Sequence, residues 1–265
     1  RSAEVLALVA GNGGLPGHLA RALSVQPILV RIDGASPEIG TELTFRLGRI
    51  ASFMDALKAR GVTEVCFAGA VRRSEIDLGE AEACSKHFID RIVAALEKGD
   101  DGALTILLQI FEAEGFVIRA AHELAPDLLP ASGVLTRKQP APGDIKDAAR
   151  ADAALKAIGD ADVGQACVVR QGQVIAIETS YGTDWMLESL DRRPDGPGGI
   201  FAKAPKPGQD LRVDLPTIGP RTVTRVAKAG LGGIVIKAGG VMVLEREETV
   251  QVANESGVFL WVRRP

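Results

Sequence analysis

Residues 203–219 read Lys-Ala-Pro-Lys-Pro-Gly-Gln-Asp-Leu-Arg-Val-Asp-Leu-Pro-Thr-Ile-Gly, the densest run of chemically capable side chains in the sequence. Taken as an extended segment, Asp210, Arg212 and Asp214 share one face while Leu211, Val213 and Leu215 share the other. With the apolar side in a core, two carboxylates and a guanidinium stand together on the accessible face. Close carboxylates repel unless a cation lies near them. Arg212 supplies part of that charge. Mg²⁺ held by Asp210 and Asp214 would supply more and could bridge a phosphate. Lys203, Lys206 and Gln209 precede the carboxylates, and Arg221, Arg225 and Lys228 follow them. A helix opening at Pro220 would aim its N-terminus, with the Thr217 and Thr222 hydroxyls, at the same neighbourhood. A solvated charged edge strand followed by a capped helix has the same pattern, so spacing alone leaves both readings open.

The second candidate is the loop Gly11-Asn12-Gly13-Gly14-Leu15-Pro16-Gly17, between a strand-like run and a helical one. Glycines there let backbone N–H groups and a helix N-terminus approach a phosphate. The spacing G-x-G-G-x-x-G puts the third glycine one place beyond the dinucleotide pattern. Asp33 is the available acid near the end of the second strand, and there is no Walker Lys-Ser/Thr. A tight turn with no ligand is the alternative. Weaker positions are His122 after a strand, Asp100-Asp101 between helices, Arg72-Arg73, and Glu178 close to Gly182-Thr183-Asp184. Glu178 could reach a sugar hydroxyl or a cation, or simply cap the next helix. His18 and His87 read as surface helix residues. No Ser/His/Asp spacing or G-x-S-x-G elbow suggests a hydrolase triad.

These residues need positioning elements, and the pattern supplies them. Short apolar runs at 4–10, 28–32, 64–68 and 116–121 alternate with amphipathic helical stretches, which predicts βαβ units and a mostly parallel, Rossmann-like sheet over residues 1–127. A Pro/Gly-rich passage, 128–143, reads as a linker. Residues 144–265 read as a mixed α/β domain, with a helix from Asp144 stopped by Gly159 and a hairpin around Gln171-Gly172. The predicted class is α/β in two domains.

Composition narrows the function. The 265 residues are 46% hydrophobic, 25% charged and 4% aromatic, with a net charge of −3, which excludes disorder and a disulfide scaffold. It also offers neither the basic footprint nor the stacking platforms of a nucleic-acid binder. The charge is uneven: residues 1–130 carry 13 Lys/Arg against 18 Asp/Glu, and 131–265 carry 18 against 16. The second half is the better home for a multiply charged anion. Cys66, Cys84 and Cys167 show no metal or redox spacing, which suits a reduced, cytoplasmic protein, and no apolar run is long enough to cross a bilayer.

GNGGLP at 11–16, AGAV at 68–71, GDD at 99–101, GQ at 164–165, ETSYGTD at 178–184 and KAPKPGQDLRVDLPTIG at 203–219 occur in that order. Together they resemble the LpxI-type UDP-2,3-diacylglucosamine pyrophosphatases of lipid A biosynthesis, along essentially the whole chain. The resemblance implies a Mg²⁺-dependent hydrolase that yields UMP and 2,3-diacylglucosamine 1-phosphate (lipid X). It implies an N-terminal Rossmann-like domain, a C-terminal catalytic domain, and lipid held between them. The essential family aspartate maps by motif onto Asp214, with Asp210 as fallback, and both are the expected metal ligands. The expected substrate contacts are Gly11, Gly13, Gly14, Leu15, Pro16, Gly69, Ala70, Thr183, Lys203, Lys206, Gln209, Arg212 and Thr217. The partner is then a lipid-linked nucleotide sugar, with no nucleic acid. Peripheral contact with the cytoplasmic face of the inner membrane and homo-oligomer formation stay open. A nicotinamide-dependent oxidoreductase built on the first domain and a non-catalytic nucleotide-sugar or lipid carrier are the competing classes.

Overall fold

The computed structural model describes residues 4–71, 81–96 and 100–264. The chain divides into two units, Arg1–Pro126 and Asp127–Pro265. The first carries β1 (Leu6–Ala10), α1 (Leu15–Ala22), β2 (Ile28–Ile32), β3 (Leu43–Phe45), α2 (Ile50–Ala59), β4 (Glu64–Ala68), α3 (Lys86–Leu96), α4 (Asp100–Ala113), β5 (Val117–Ile118) and α5 (Ala121–Leu124). Its strands pair in the order β3-β2-β1-β4-β5, all parallel. Ala7, Leu8, Val9 and Ala10 are fully buried, as expected for a central strand covered on both faces. Phe45, Phe53, Phe67, Phe111 and Phe116 pack ring to ring as the aromatic core of this unit. The strand order reverses between β1 and β4, so the loops leaving those two strands flank the crevice where open α/β sheets place ligands.

The second unit carries β6 (Gly133–Val134), α6 (Pro142–Asp160), β7 (Ala166–Arg170), β8 (Gln173–Ile177), α7 (Gly182–Ser189), β9 (Ile200–Lys203), β10 (Thr217–Ile218), α8 (Pro220–Lys228), β11 (Gly233–Lys237), β12 (Met242–Val243), α9 (Arg246–Glu255) and β13 (Phe259–Arg263). A six-stranded mixed sheet runs β6-β13-β11-β9-β7-β8, and β10 pairs with β12 separately. Strand periodicity divides its residues cleanly. Ala166, Val168, Phe201, Ile234, Ile236, Leu260 and Val262 meet residues of α7, α8 and α9 on one face. Cys167, Val169, Ile200, Ala202, Val235 and Phe259 meet Ala148, Ala151 and Leu155 of α6 on the other. The architecture is therefore α/β in both units, as the sequence predicts.

Local details differ from expectation. Residues 128–143, expected as a linker, carry β6 inside this sheet and the first residues of α6. Asp144 is not the first residue of α6, which starts at Pro142. It sits in the first turn, and its carboxylate accepts the Ala141 N–H at 2.8 Å. Gly159 lies within the last turn of α6 rather than beyond its end. A Cβ there would stand 2.7 Å from Pro207 Cδ, so the helix needs glycine to admit the 204–209 loop. Arg72-Arg73 lies outside the described residues.

Candidate active site

The segment after β9 is built by its own turn chemistry. Lys206-Pro207-Gly208-Gln209 closes a β-turn, with the Gln209 N–H on the Lys206 carbonyl at 3.4 Å. Proline followed by glycine at φ +78° is the type II signature, since the third turn position needs a positive φ. Pro207 packs on Gly159, and Pro205 stands where a Cβ on Gly240 would fall, so both prolines seat the loop on bare backbone.

Residues 210–214 are not extended, which corrects the expected alternation. The Asp210 carbonyl accepts the Val213 and Asp214 N–H groups at 3.3 and 3.1 Å, forming a helical turn. Asp210 Oδ1 also accepts the Arg212 N–H at 3.0 Å, the local side-chain-to-backbone bond by which aspartate competes with strand formation. Leu211 is 43% exposed while Leu215 is buried, so the apolar residues do not share an inward face. Arg212 grips the Asp210 carboxylate as a fork, Nε to Oδ1 at 3.0 Å and Nη2 to Oδ2 at 2.8 Å. That hydrogen bond holds the Asp210 carboxyl below the usual carboxylate range, against the opposing pull of partial burial.

Asp214, half-buried, is engaged by Gln209. The Gln209 side chain is buried, its Oε1 accepts the Lys206 N–H at 3.0 Å, and its Nε2 donates both to Asp214 Oδ2 and to Gln165 Oε1, the latter at 3.4 Å. Gln165 extends the network, its N–H reaching Glu178 Oε1 at 3.4 Å. A Cβ at Gly164 would overlap the Glu178 carbonyl, which is why glycine precedes Gln165 here. Thr183 donates its hydroxyl to Glu178 Oε2 and accepts from Lys203 Nζ at 2.7 Å. Lys203 Nζ also lies 3.7 Å from Glu178 Oε2, and both side chains are about 10% exposed. A continuous hydrogen-bonded path thus links the Lys203 ammonium to the Asp214 carboxylate through Thr183, Glu178, Gln165 and Gln209. Lys206 Nζ pairs with Asp162 Oδ1 at 2.7 Å at the rim.

Other expected contributors turn elsewhere. The Thr217 hydroxyl donates to the Leu215 carbonyl at 3.4 Å, and Thr222 accepts the Gly219 N–H at 3.2 Å to cap α8. Arg225 pairs with Asp184 and Glu188, and Lys228 with Asp191, tying α8 to the α7 segment. Among the described residues, no group of three or more His, Cys, Asp or Glu side chains could hold a metal ion.

In the first unit the loops 11–16 and 69–70 do come together. Asn12 and Ala70 exchange backbone hydrogen bonds at 2.7 and 2.9 Å, and the Gly11 N–H bonds the Ala68 carbonyl at 2.8 Å. A Cβ on Gly11 would sit 2.7 Å from the Ala70 carbonyl oxygen, and one on Gly69 2.7 Å from that of Asn12. These glycines let the two loops touch. Gly14, Leu15 and Pro16 form the entry to α1, with Gly14 at the N-cap, and Gly13 adopts φ +94°. Asp33 pairs with Arg46 at 3.1 Å.

Sequence reading missed the role of Gln165 and the Asp162 partner of Lys206. Gln165 lies 44 residues from Gln209 and Asp162 lies 44 from Lys206, so no spacing rule connects them. The Gly-Gln dipeptide before β7 was the one visible signal.

Comparison with known proteins follows the division into units. Residues 5–128 match the family model described as the LpxI N-terminal domain, and residues 131–261 match the LpxI C-terminal domain. A curated relative, the UDP-2,3-diacylglucosamine pyrophosphatase LpxI of Caulobacter vibrioides, is 38% identical over 276 aligned residues that cover 96% of each chain.

Proposed function

Because the chain belongs to the LpxI family, matching both of its domain models in order, we propose that it hydrolyses the diphosphate of UDP-2,3-diacylglucosamine to UMP and 2,3-diacylglucosamine 1-phosphate. The observation that carries the reading is the path from a buried ammonium, Lys203, to a held carboxylate, Asp214. Phosphoanhydride hydrolysis asks a protein for charge stabilisation and a positioned water more than for covalent chemistry. Lys203 has three N–H donors, and Thr183 occupies one at 2.7 Å, so it can donate to a phosphate oxygen without leaving Glu178. Asp214 orients the attacking water and accepts its proton, or would be the side chain that holds Mg²⁺, and Gln209 keeps it in place for either task. When bound, Mg²⁺ would neutralise charge on the phosphate oxygens, with Asp214 as its protein ligand. Asp210 has both oxygens turned to Arg212.

A diacylated substrate also brings the enzyme to a membrane surface. The contact we propose is peripheral, on the cytoplasmic face; among the described residues no helix is long and apolar enough to cross a membrane.

The test is incubation of the purified protein with UDP-2,3-diacylglucosamine and Mg²⁺ or EDTA, with products identified by mass. UMP and the monophosphorylated lipid should appear with Mg²⁺ and not with EDTA. Bound but uncleaved substrate would instead identify a carrier, and thermal protection by NAD(P)H but not UDP an oxidoreductase.

A further inference from the structure

We propose that Gln209 is a positioning residue for Asp214, with Gln165 as its second pin, rather than a contact to substrate. The inference rests on the hydrolase reading above and assigns a role within it. Gln209 offers two N–H donors and one carbonyl acceptor. The Lys206 N–H, at 3.0 Å from Oε1, fixes which end of the amide is oxygen. The other end must then face Asp214 and Gln165, and both of its N–H donors are committed there, to Asp214 Oδ2 and to Gln165 Oε1 at 3.4 Å. The side chain is 8% exposed, so water cannot replace these bonds if they are lost. The backbone N–H of Asp214 on Asp210, the Gln209 amide and, through that amide, the backbone of the Lys206–Gln209 turn all help to locate the Asp214 carboxylate. A carboxylate that must present one oxygen to water or a cation benefits from having the other held, because small misplacements cost rate steeply.

Gln165 accepts the second N–H of the Gln209 amide at 3.4 Å. It also carries the connection to Glu178, so the Asp214 and Lys203 ends of the site share one rigid frame. A substrate-binding role for Gln209 would require one of these donors to be released.

The experiment combines kinetics with a signature independent of turnover. In Gln209→Met, kcat for UMP release should fall about 10- to 100-fold with KM within about twofold, since the lost interaction acts on the catalytic group. Gln165→Met should move kcat in the same direction by less. Gln209→Glu keeps the shape but lacks the donors and should not restore the rate. By NMR, the side-chain amide protons of Gln209 in the folded wild-type protein should shift on Asp214→Ala and on Gln165→Met. If KM rises with kcat unchanged, Gln209 binds substrate and the positioning role is overturned. Amide signals that do not move on Asp214→Ala, when the wild type does release UMP, would overturn the positioning role alone. A wild type that releases no UMP would overturn the hydrolase reading and the role with it.

Discussion

Glu178→Gln tests the buried charge pair that supports the site. The substitution keeps the shape and one acceptor, for Thr183, gives up the other, which the Gln165 N–H approaches at 3.4 Å, and leaves the Lys203 ammonium, about 9% exposed, with no countercharge at 3.7 Å. At an effective dielectric of about 20, that separation corresponds to about 4 kcal/mol of attraction. Breaking a buried pair by removing one partner costs about 3–5 kcal/mol, and the surviving Thr183 hydroxyl argues for the lower end, about 3 kcal/mol. At roughly 3 °C per kcal/mol for a domain of this size, the unfolding midpoint should drop by about 10 °C. Trp185 and Trp261, the two tryptophans, both lie in the second unit, so their fluorescence in urea reports the right unfolding event. Lys203→Met should destabilise as well, by leaving Glu178 charged and buried. The double variant removes both charges and should be more stable than either single one, with a coupling of at least about 2 kcal/mol. It should nonetheless release no UMP, because the ammonium is gone. Additive effects in the cycle, or a cost under about 0.5 kcal/mol in Glu178→Gln, would refute the claim that the pair is a buried, mutually dependent unit.

In Gly159→Ala, better helix propensity worth up to about 1 kcal/mol competes with a Cβ placed 2.7 Å from the rigid Pro207 ring. Overpacking should win, with net destabilisation of about 1–2 kcal/mol in urea and a reduced kcat as the 204–209 loop shifts. Asp210 has a folded-state carboxyl lowered by its Arg212 hydrogen bond, so its stabilisation is present above the unfolded value near 4 and is lost as pH falls through the folded one. Asp210→Asn should therefore cost about 0.5–1 kcal/mol at pH 7, with the gap to wild type narrowing as the pH falls below the unfolded value near 4 in parallel urea titrations. Burial pushes the Cys66 and Cys167 thiols up to about 12, whereas Cys84 is exposed. A thiol reagent at pH 7 should label Cys84 in the native protein and all three after denaturation.

The fold was legible because its signals are local. Buried parallel strands such as Leu6–Ala10 are continuous apolar runs, and the hairpin at Gln171-Gly172 and the proline-led start of α8 carry their own turn chemistry. The 203–219 block could be singled out for the same reason: its residue types are dense. Its geometry was not legible. The alternation of Asp210, Arg212 and Asp214 suggests a strand, but Asp210 bonds the Arg212 N–H and its carbonyl takes the Asp214 N–H, which coils the segment. Arg212 then grips the Asp210 carboxylate as a fork. The network partners are distant in sequence, Glu178 facing Lys203 and Gln165 facing Gln209, and become neighbours only when β7, β8 and β9 pair. Gly159 illustrates the same limit: next to a helix end it reads as a stop signal, while its reason is the approach of Pro207.

The central claim is that Asp214, at the end of the Lys203 network, drives diphosphate cleavage. The direct measurement is UMP release under saturating UDP-2,3-diacylglucosamine and Mg²⁺ by wild type and by Asp214→Ala, each with an unfolding curve showing it is folded. The account predicts a loss of at least about 100-fold in kcat in a folded variant. Full activity in Asp214→Ala would contradict it.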